Sequence, residues 1–231
     1  MIENNIGRDQ RDLQRARRRG VAPSTSLRRH FFALARQVDQ WAKMRKRSGI
    51  YSGSTGCEYS IGVTSLSRGV GRSTVSFNLA SALGTLKRTG GLLIEADFGK
   101  HFVTRRLGYS RSPGLSEVLL GVSEIEEAVF PTPLSDLSLM GCGRKSEQES
   151  LELPFDLLPN LIHEKLDGFG FLVFDLPLAN HLTACHSILP HLDGVILAVE
   201  SSHVDHNEID RFRKQVEAHG VEIIGVVLNK A

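Results

Sequence analysis

The sequence predicts an α/β fold: a doubly wound, mostly parallel sheet with helices on both sides, preceded by an N-terminal helical arm. Three observations predict it. From residue 59 onward, short apolar runs alternate with segments of helical period, the pattern of βαβ units joined by right-handed crossovers. The runs Leu172-Val173-Phe174 and Val195-Ile196-Leu197-Ala198-Val199 are continuously apolar, as strands covered on both faces must be. The run Ile61-Gly62-Val63-Thr64 stops at a glycine-containing loop, and a helical segment opens at Arg72-Ser73-Thr74.

Residues 1–23 are rich in Arg, Asp and Gln and poor in apolar side chains, the composition of a flexible basic tail. Residues 24–58 divide into an amphipathic helix and a linker. Ser24, Thr25 or Ser26 can cap the helix. Leu27, Phe31, Leu34, Val38, Trp41 and Met44 recur at steps of three and four and line one face. The stretch 47–58 is rich in Gly and Ser, as linkers are. Within 59–231, strands are expected at 60–64, 91–96, 137–140, 170–175, 194–199 and 222–228. Helices are expected at 72–87, 114–121, 124–129, 155–167, 182–189 and 205–218, and 142–153 reads as a loop. Ligands of such a fold sit at the carboxyl ends of the strands.

The net charge of +2 conceals an asymmetry. Residues 1–50 carry 13 Lys/Arg against 4 Asp/Glu, and the remainder carries 15 against 22. A basic head on an acidic body calls for an anionic counterpart, such as an anionic membrane surface, nucleic acid or an acidic partner. The run Arg17-Arg18-Arg19 has no interleaved aromatics, so the nucleic-acid signal is weak. Three widely spaced cysteines, Cys57, Cys142 and Cys185, suit a reducing cytoplasm. There is no apolar run of about 18 residues and no apolar N-terminal leader.

Strand, glycine loop, basic residue, Ser-Thr and helix is the layout of a phosphate-binding P-loop. Here the loop reads Arg68, Gly69, Val70, Gly71, Arg72, Ser73, Thr74. Its backbone N–H groups and the new helix N-terminus favour a phosphate, and the Ser73 hydroxyl suits Mg²⁺. The strict pattern fails twice: Leu66 stands at the first glycine and Arg72 at the lysine. Glycine also suits an ordinary βα turn, so the loop alone is a weak signal. Two apolar strands strengthen it by ending in carboxylates, at Glu95-Ala96-Asp97 and at Asp175-Leu176-Pro177. A charge at the end of a buried strand is costly unless it is paired or binds a metal.

With these parts in place the chain resembles bacterial tyrosine autokinases of the capsule and exopolysaccharide type. They are relatives of the septum-site and chromosome-partition ATPases, within the P-loop NTPase class. The stretches LLIEADFGK, LVFDLP, GLSEVLLG and GVVLNK carry the resemblance, over about residues 24–231. The signature lysine of the partition and septum ATPases falls on Ser67, which favours the kinase branch. The resemblance implies ATP and Mg²⁺ at residues 68–74, with Asn229 contacting the base. It implies Ser73, Asp97 and Asp175 at the metal, and Arg72, Glu95 and Asp97 acting in phosphoryl transfer. It further implies a membrane-embedded polysaccharide co-polymerase or chain-length regulator as partner, a cytoplasmic place at the inner membrane face, and homo-oligomers.

Departures from the family qualify this. Arg72 is longer, planar and forked, so it cannot act as a lysine point charge between phosphates; weakened or abolished transfer is expected, with some nucleotide binding surviving. Glu95 stands for aspartate, and Gly99 for that motif's arginine, with Lys100 beside it. Tyr51, Tyr59 and Tyr109 do not cluster as the family's tyrosine tail does. The family's Glu-x-x-Arg-x-x-Arg oligomerisation motif falls on Arg29, Phe32 and Ala35 and is unmatched. A partition-type ATPase switch and a scaffold that has lost its nucleotide are the alternative readings.

Other candidates are weaker. His181, Cys185 and His186 form a metal half-site on paper, and an ordinary helix surface is the plainer reading. His203 and His206 read as solvated residues at a helix start. Cys142 reads as a small turn residue rather than a reactive thiol, since nothing near it in sequence would lower its pKa.

Overall fold

The computed structural model describes residues 25–48, 57–146, 148–179, 184–200 and 206–229. The expectations for the tail 1–23, for most of the linker, and for His181 and His203 lie outside these.

The arm is a 23-residue helix, α1 (Thr25–Arg47). Phe31, Ala35, Val38 and Trp41 are buried along one face and Leu34 is half-buried. Met44, expected on that face, is 63% exposed. Arg45 takes its place, with the guanidinium 5.2 Å from the Trp41 ring centroid and Nη1 donating to the Asp193 carbonyl at 3.0 Å. At the other flank, Lys87 Nζ reaches Asp39 at 3.1 Å and Glu58 at 2.7 Å. Buried apolar surface holds the arm on the body, and two cationic clamps set its direction.

The body alternates as expected: β1 (Ser60–Ser65), α2 (Arg72–Lys87), β2 (Gly91–Glu95), α3 (Phe102–Leu107), α4 (Leu115–Leu119), α5 (Ile125–Ala128), β3 (Val129–Pro131), β4 (Leu137–Met140), β5 (Phe171–Asp175), α6 (Ala184–Ile188), β6 (Gly194–Glu200), α7 (His206–Ala218) and β7 (Glu222–Asn229). The seven strands lie in the order β3-β4-β2-β5-β1-β6-β7. All pairings are parallel except β3 with β4. The sheet divides the core in two. Phe31, Val38, Trp41, Phe77 and Leu83 fill one side; Leu115, Leu158, Ile188, Phe212 and Val216 fill the other.

Three expectations are corrected. The helix at 155–167 is broken into Phe155–Leu157, Leu158–Asn160 and Leu161–Lys165, turns of different pitch, because Pro159 lacks an N–H to carry one ladder through. The short α3 and β3 were not foreseen, being six and three residues long. Residues Glu149–Glu152 form a helical turn inside the stretch read as loop.

Topology fixes where a ligand can go. β1 sits between β5 and β6, yet the chain runs from β1 to β2 on the far side of β5. The carboxyl ends of β1, β2 and β5 therefore converge beside the N-terminus of α2. The register sets Val63 beside Asp175 and Asp175 beside Glu95, so two carboxylates expected from sequence meet at the carboxyl end of the sheet, on its interior strands.

Candidate functional site

The loop between β1 and α2 turns through two left-handed glycines, Gly69 and Gly71, both at φ 84°. An L side chain is strained there. At Gly71 space is short as well, since a Cβ would lie 2.5 Å from the Asn229 amide nitrogen. The first backbone bond of α2 runs from Val75 N–H to the Gly71 carbonyl at 2.9 Å, which leaves the N–H groups of the preceding helical residues open at a 16-residue helix. That arrangement is an anion cradle.

Arg72 is 7% exposed and its Nη2 donates to Asp97 Oδ2 at 2.5 Å, with the Asp97 side chain 9% exposed. Asp97 also accepts from the Gly99 N–H at 3.2 Å. Arg72 Nη1 is buried with no hydrogen-bond partner among the described residues. Asp175 is fully buried. Its Oδ1 accepts from Ser76 at 3.0 Å, while Oδ2 lacks a well-formed hydrogen bond among the described residues. Burial pushes its carboxyl up to about 6, against the pull of the nearby Ser73 hydroxyl and the Arg72 charge. A donor without a partner among the described residues, Arg72 Nη1, and a carboxylate oxygen held at most loosely by the Ser73 hydroxyl, Asp175 Oδ2, thus lie at the same cradle. A phosphate oxygen answers the first and a hydrated cation the second, so these residues fit a Mg²⁺-nucleotide.

Glu95 has a different setting. Its carboxylate is buried and accepts from the Val103 N–H at 2.5 Å, the Thr104 N–H at 3.1 Å and the Thr104 hydroxyl. Glu95 therefore anchors the start of α3. Burial, reinforced by Asp175, pushes it up to about 7 in spite of those bonds. Asn229 donates from Nδ2 to the Val70 carbonyl at 2.8 Å, closing the last strand onto the loop.

A cavity of about 620 Å³ opens over the cradle, in the size range of nucleotide and cofactor pockets. Ser65, Ser67, Gly69 to Thr74, Gly99, Lys100, His101, Phe102, Arg105 and Arg106 line it. The structure thus brings Gly69, Val70, Gly71, Arg72, Ser73 and Thr74 together on one wall of the cavity. Arg68 is exposed and, like Glu95, Asp97, Asp175 and Asn229, does not line the cavity; the two aspartates lie behind it, Asp97 paired with Arg72. Sequence reasoning missed His101, Phe102, Arg105 and Arg106, because α3 is too short for a periodic signal. The basic pair after the second acidic motif was the visible clue.

The other candidates separate. Cys185 is buried rather than on a helix surface, while His186 Nε2 pairs with the Ala179 carbonyl at 3.1 Å. His206 is exposed at the start of α7. Cys142 is buried, with Sγ 3.0 Å from His101 Nδ1, and burial raises its thiol far above the usual range.

Fold and site together define an α/β protein with a P-loop NTPase-like sheet. The chain's homologues are bacterial tyrosine-protein kinases, at low identity. Tyrosine-protein kinase wzc of Salmonella typhi is 25% identical over 168 residues, covering 72% of this chain and 23% of its own length. The chain therefore spans about a quarter of that relative. Tyrosine-protein kinase CpsD of Streptococcus agalactiae is 23% identical over 171 residues, covering 74% of each chain. Among solved structures, the kinase domain of Escherichia coli tyrosine kinase ETK superposes with a TM-score of 0.67 at 20% identity, over 75% of this chain and 68% of that one. The septum site-determining protein MinD of Pyrococcus horikoshii, solved with Mg-ADP, gives 0.61 at 21% identity, over 74% and 69%. These two likenesses establish the fold. No protein-family model matches the chain.

Proposed function

We propose that the chain binds ATP with Mg²⁺ at Gly69–Thr74 and is a divergent member of the exopolysaccharide-regulating tyrosine autokinases, with weak phosphoryl transfer. The observation that carries this reading is the pair of buried atoms at the cradle, Arg72 Nη1 without a partner among the described residues and Asp175 Oδ2 held at most loosely. Ser73 and Asp175 would hold Mg²⁺, which supplies charge neutralisation between the phosphates. Asp97 would orient the attacking group but is already paired with Arg72; that pairing favours a weak enzyme, with a nucleotide-free scaffold as its limit. The motif resemblance supports a partnership with a membrane-embedded polysaccharide co-polymerase at the cytoplasmic membrane face, with the basic N-terminus on anionic lipid. The test is calorimetry with ATP-Mg²⁺ on the wild type and Arg72→Lys. Micromolar binding by the wild type supports the reading. Absence of binding in the wild type, restored by Arg72→Lys, replaces it with the scaffold.

A further inference from the structure

A P-loop lysine meets phosphates as a single mobile ammonium, and Arg72 is not free to do so. Its Nη2 is committed to Asp97 inside the protein, and its Nη1 has no hydrogen-bond partner among the described residues. The same cavity has a second wall, from Gly99 to Arg106. On it Lys100, Arg105 and Arg106 are exposed, and the described ion pairs include none of the three. Among the described residues no carboxylate lines the cavity; Asp97 lies behind it and is paired with Arg72, so the unpaired charge on the wall is the positive charge of Lys100, Arg105 and Arg106. Lys100 is also placed by the motif itself. Its backbone N–H donates to the Asp97 carbonyl at 2.9 Å, while Gly99 N–H holds the Asp97 side chain. The turn that carries the partner of Arg72 therefore also sets the origin of the Lys100 side chain.

We propose that the cationic charge directed at the terminal phosphates has moved from the P-loop to this second wall, where Lys100, extended by Arg105 and Arg106, recognises a nucleotide polyphosphate. The inference rests on the nucleotide reading above. Arg72 then serves as a fork between Asp97 and one phosphate oxygen, and Lys100 supplies the compact ammonium that an arginine cannot. The ligand class follows: a nucleoside di- or triphosphate, distinguished from a monophosphate by charge beyond the α-phosphate.

The experiment is calorimetric titration of ATP-Mg²⁺ and AMP into the wild-type chain, Lys100→Ala, the double variant Arg105→Ala/Arg106→Ala, and Lys165→Ala as an exposed control away from the cavity. Lys100→Ala is expected to weaken ATP binding about tenfold or more, the loss of a charge-assisted hydrogen bond. AMP affinity should change less than about threefold on the same ground, since the lost bond goes to a phosphate that AMP lacks. The double variant should weaken ATP further than the control does. Wild-type ATP binding with no loss in Lys100→Ala overturns the inference and leaves the nucleotide site standing. No binding of ATP or AMP by the wild type overturns both. Equal loss for ATP and AMP, or an altered melting temperature in Lys100→Ala, overturns it by showing a general or structural effect.

Discussion

The buried pair between Arg72 and Asp97 is the feature of the site most open to a quantitative test. Its oxygen–nitrogen distance is 2.5 Å and both side chains are at most 9% exposed. With charge centres about 4 Å apart and an effective dielectric near 20, the attraction is about 4 kcal/mol. Asp175 lies close enough to Arg72 for their charges to interact, so it compensates part of what is lost when Asp97 is neutralised. Asp97→Asn should therefore cost about 3 kcal/mol, within the range for a buried pair left without one partner. For a chain of this size that lowers the melting temperature by roughly 6–12 °C. The assay is a double-mutant cycle by scanning calorimetry and urea unfolding, using Arg72→Met, Asp97→Asn and the double variant. The coupling energy should be about 1–3 kcal/mol, since the double variant strands neither Arg72 nor Asp97. Effects that add to within about 0.5 kcal/mol would refute the reasoning, because residues in direct contact cannot act independently.

Three further predictions follow from named groups. Glu95 is pushed up to about 7, so the folded chain holds a proton that the unfolded chain releases near the usual carboxylate value. Its stabilising contribution is complete below about pH 4.5 and is lost as pH rises toward 7, and Glu95→Gln should flatten the melting temperature profile across that window. Asp175, pushed up to about 6, must be ionised to face a cation. ATP-Mg²⁺ affinity should rise from pH 5 to 7 by up to about tenfold per unit below the transition and then level off, and a flat calorimetric profile would remove Asp175 from the proposed metal site. Gly71→Ala meets both a left-handed backbone and the Asn229 amide; it should lower stability by about 1–2 kcal/mol and break the Asn229 bond to Val70, visible as a shifted side-chain amide resonance.

Much of the fold was legible because parallel strands buried on both faces leave unbroken apolar runs. β1, β2, β4, β5, β6 and β7 all lie within one or two residues of their expected bounds. The glycines of the loop and the carboxylates at the strand ends were legible for the same local reason: each marks a place where the backbone must turn or a charge must leave the sheet. The elements that escaped are those whose stability is not local. α3 has six residues, too few to form alone. It exists because Glu95, a residue of β2, accepts its opening N–H groups. β3 has three residues and needs β4 beside it. In α1, Arg45 rather than Met44 completes the contact with the body, because Asp193 and the Trp41 ring are there to receive it.

By itself the sequence determined the alternation of strand and helix, the glycine loop ahead of α2 and the two acidic strand ends, since these depend on neighbours along the chain. Only the tertiary structure decided what each charge does. Arg72 was set against Asp97, Glu95 against the start of α3, Asn229 against the P-loop carbonyl, and Asp175 was left with one oxygen held at most loosely. The reason is physical: in a low-dielectric interior a charged group takes its role from the partner brought within a few ångströms. Strand order, not sequence distance, brings those partners together.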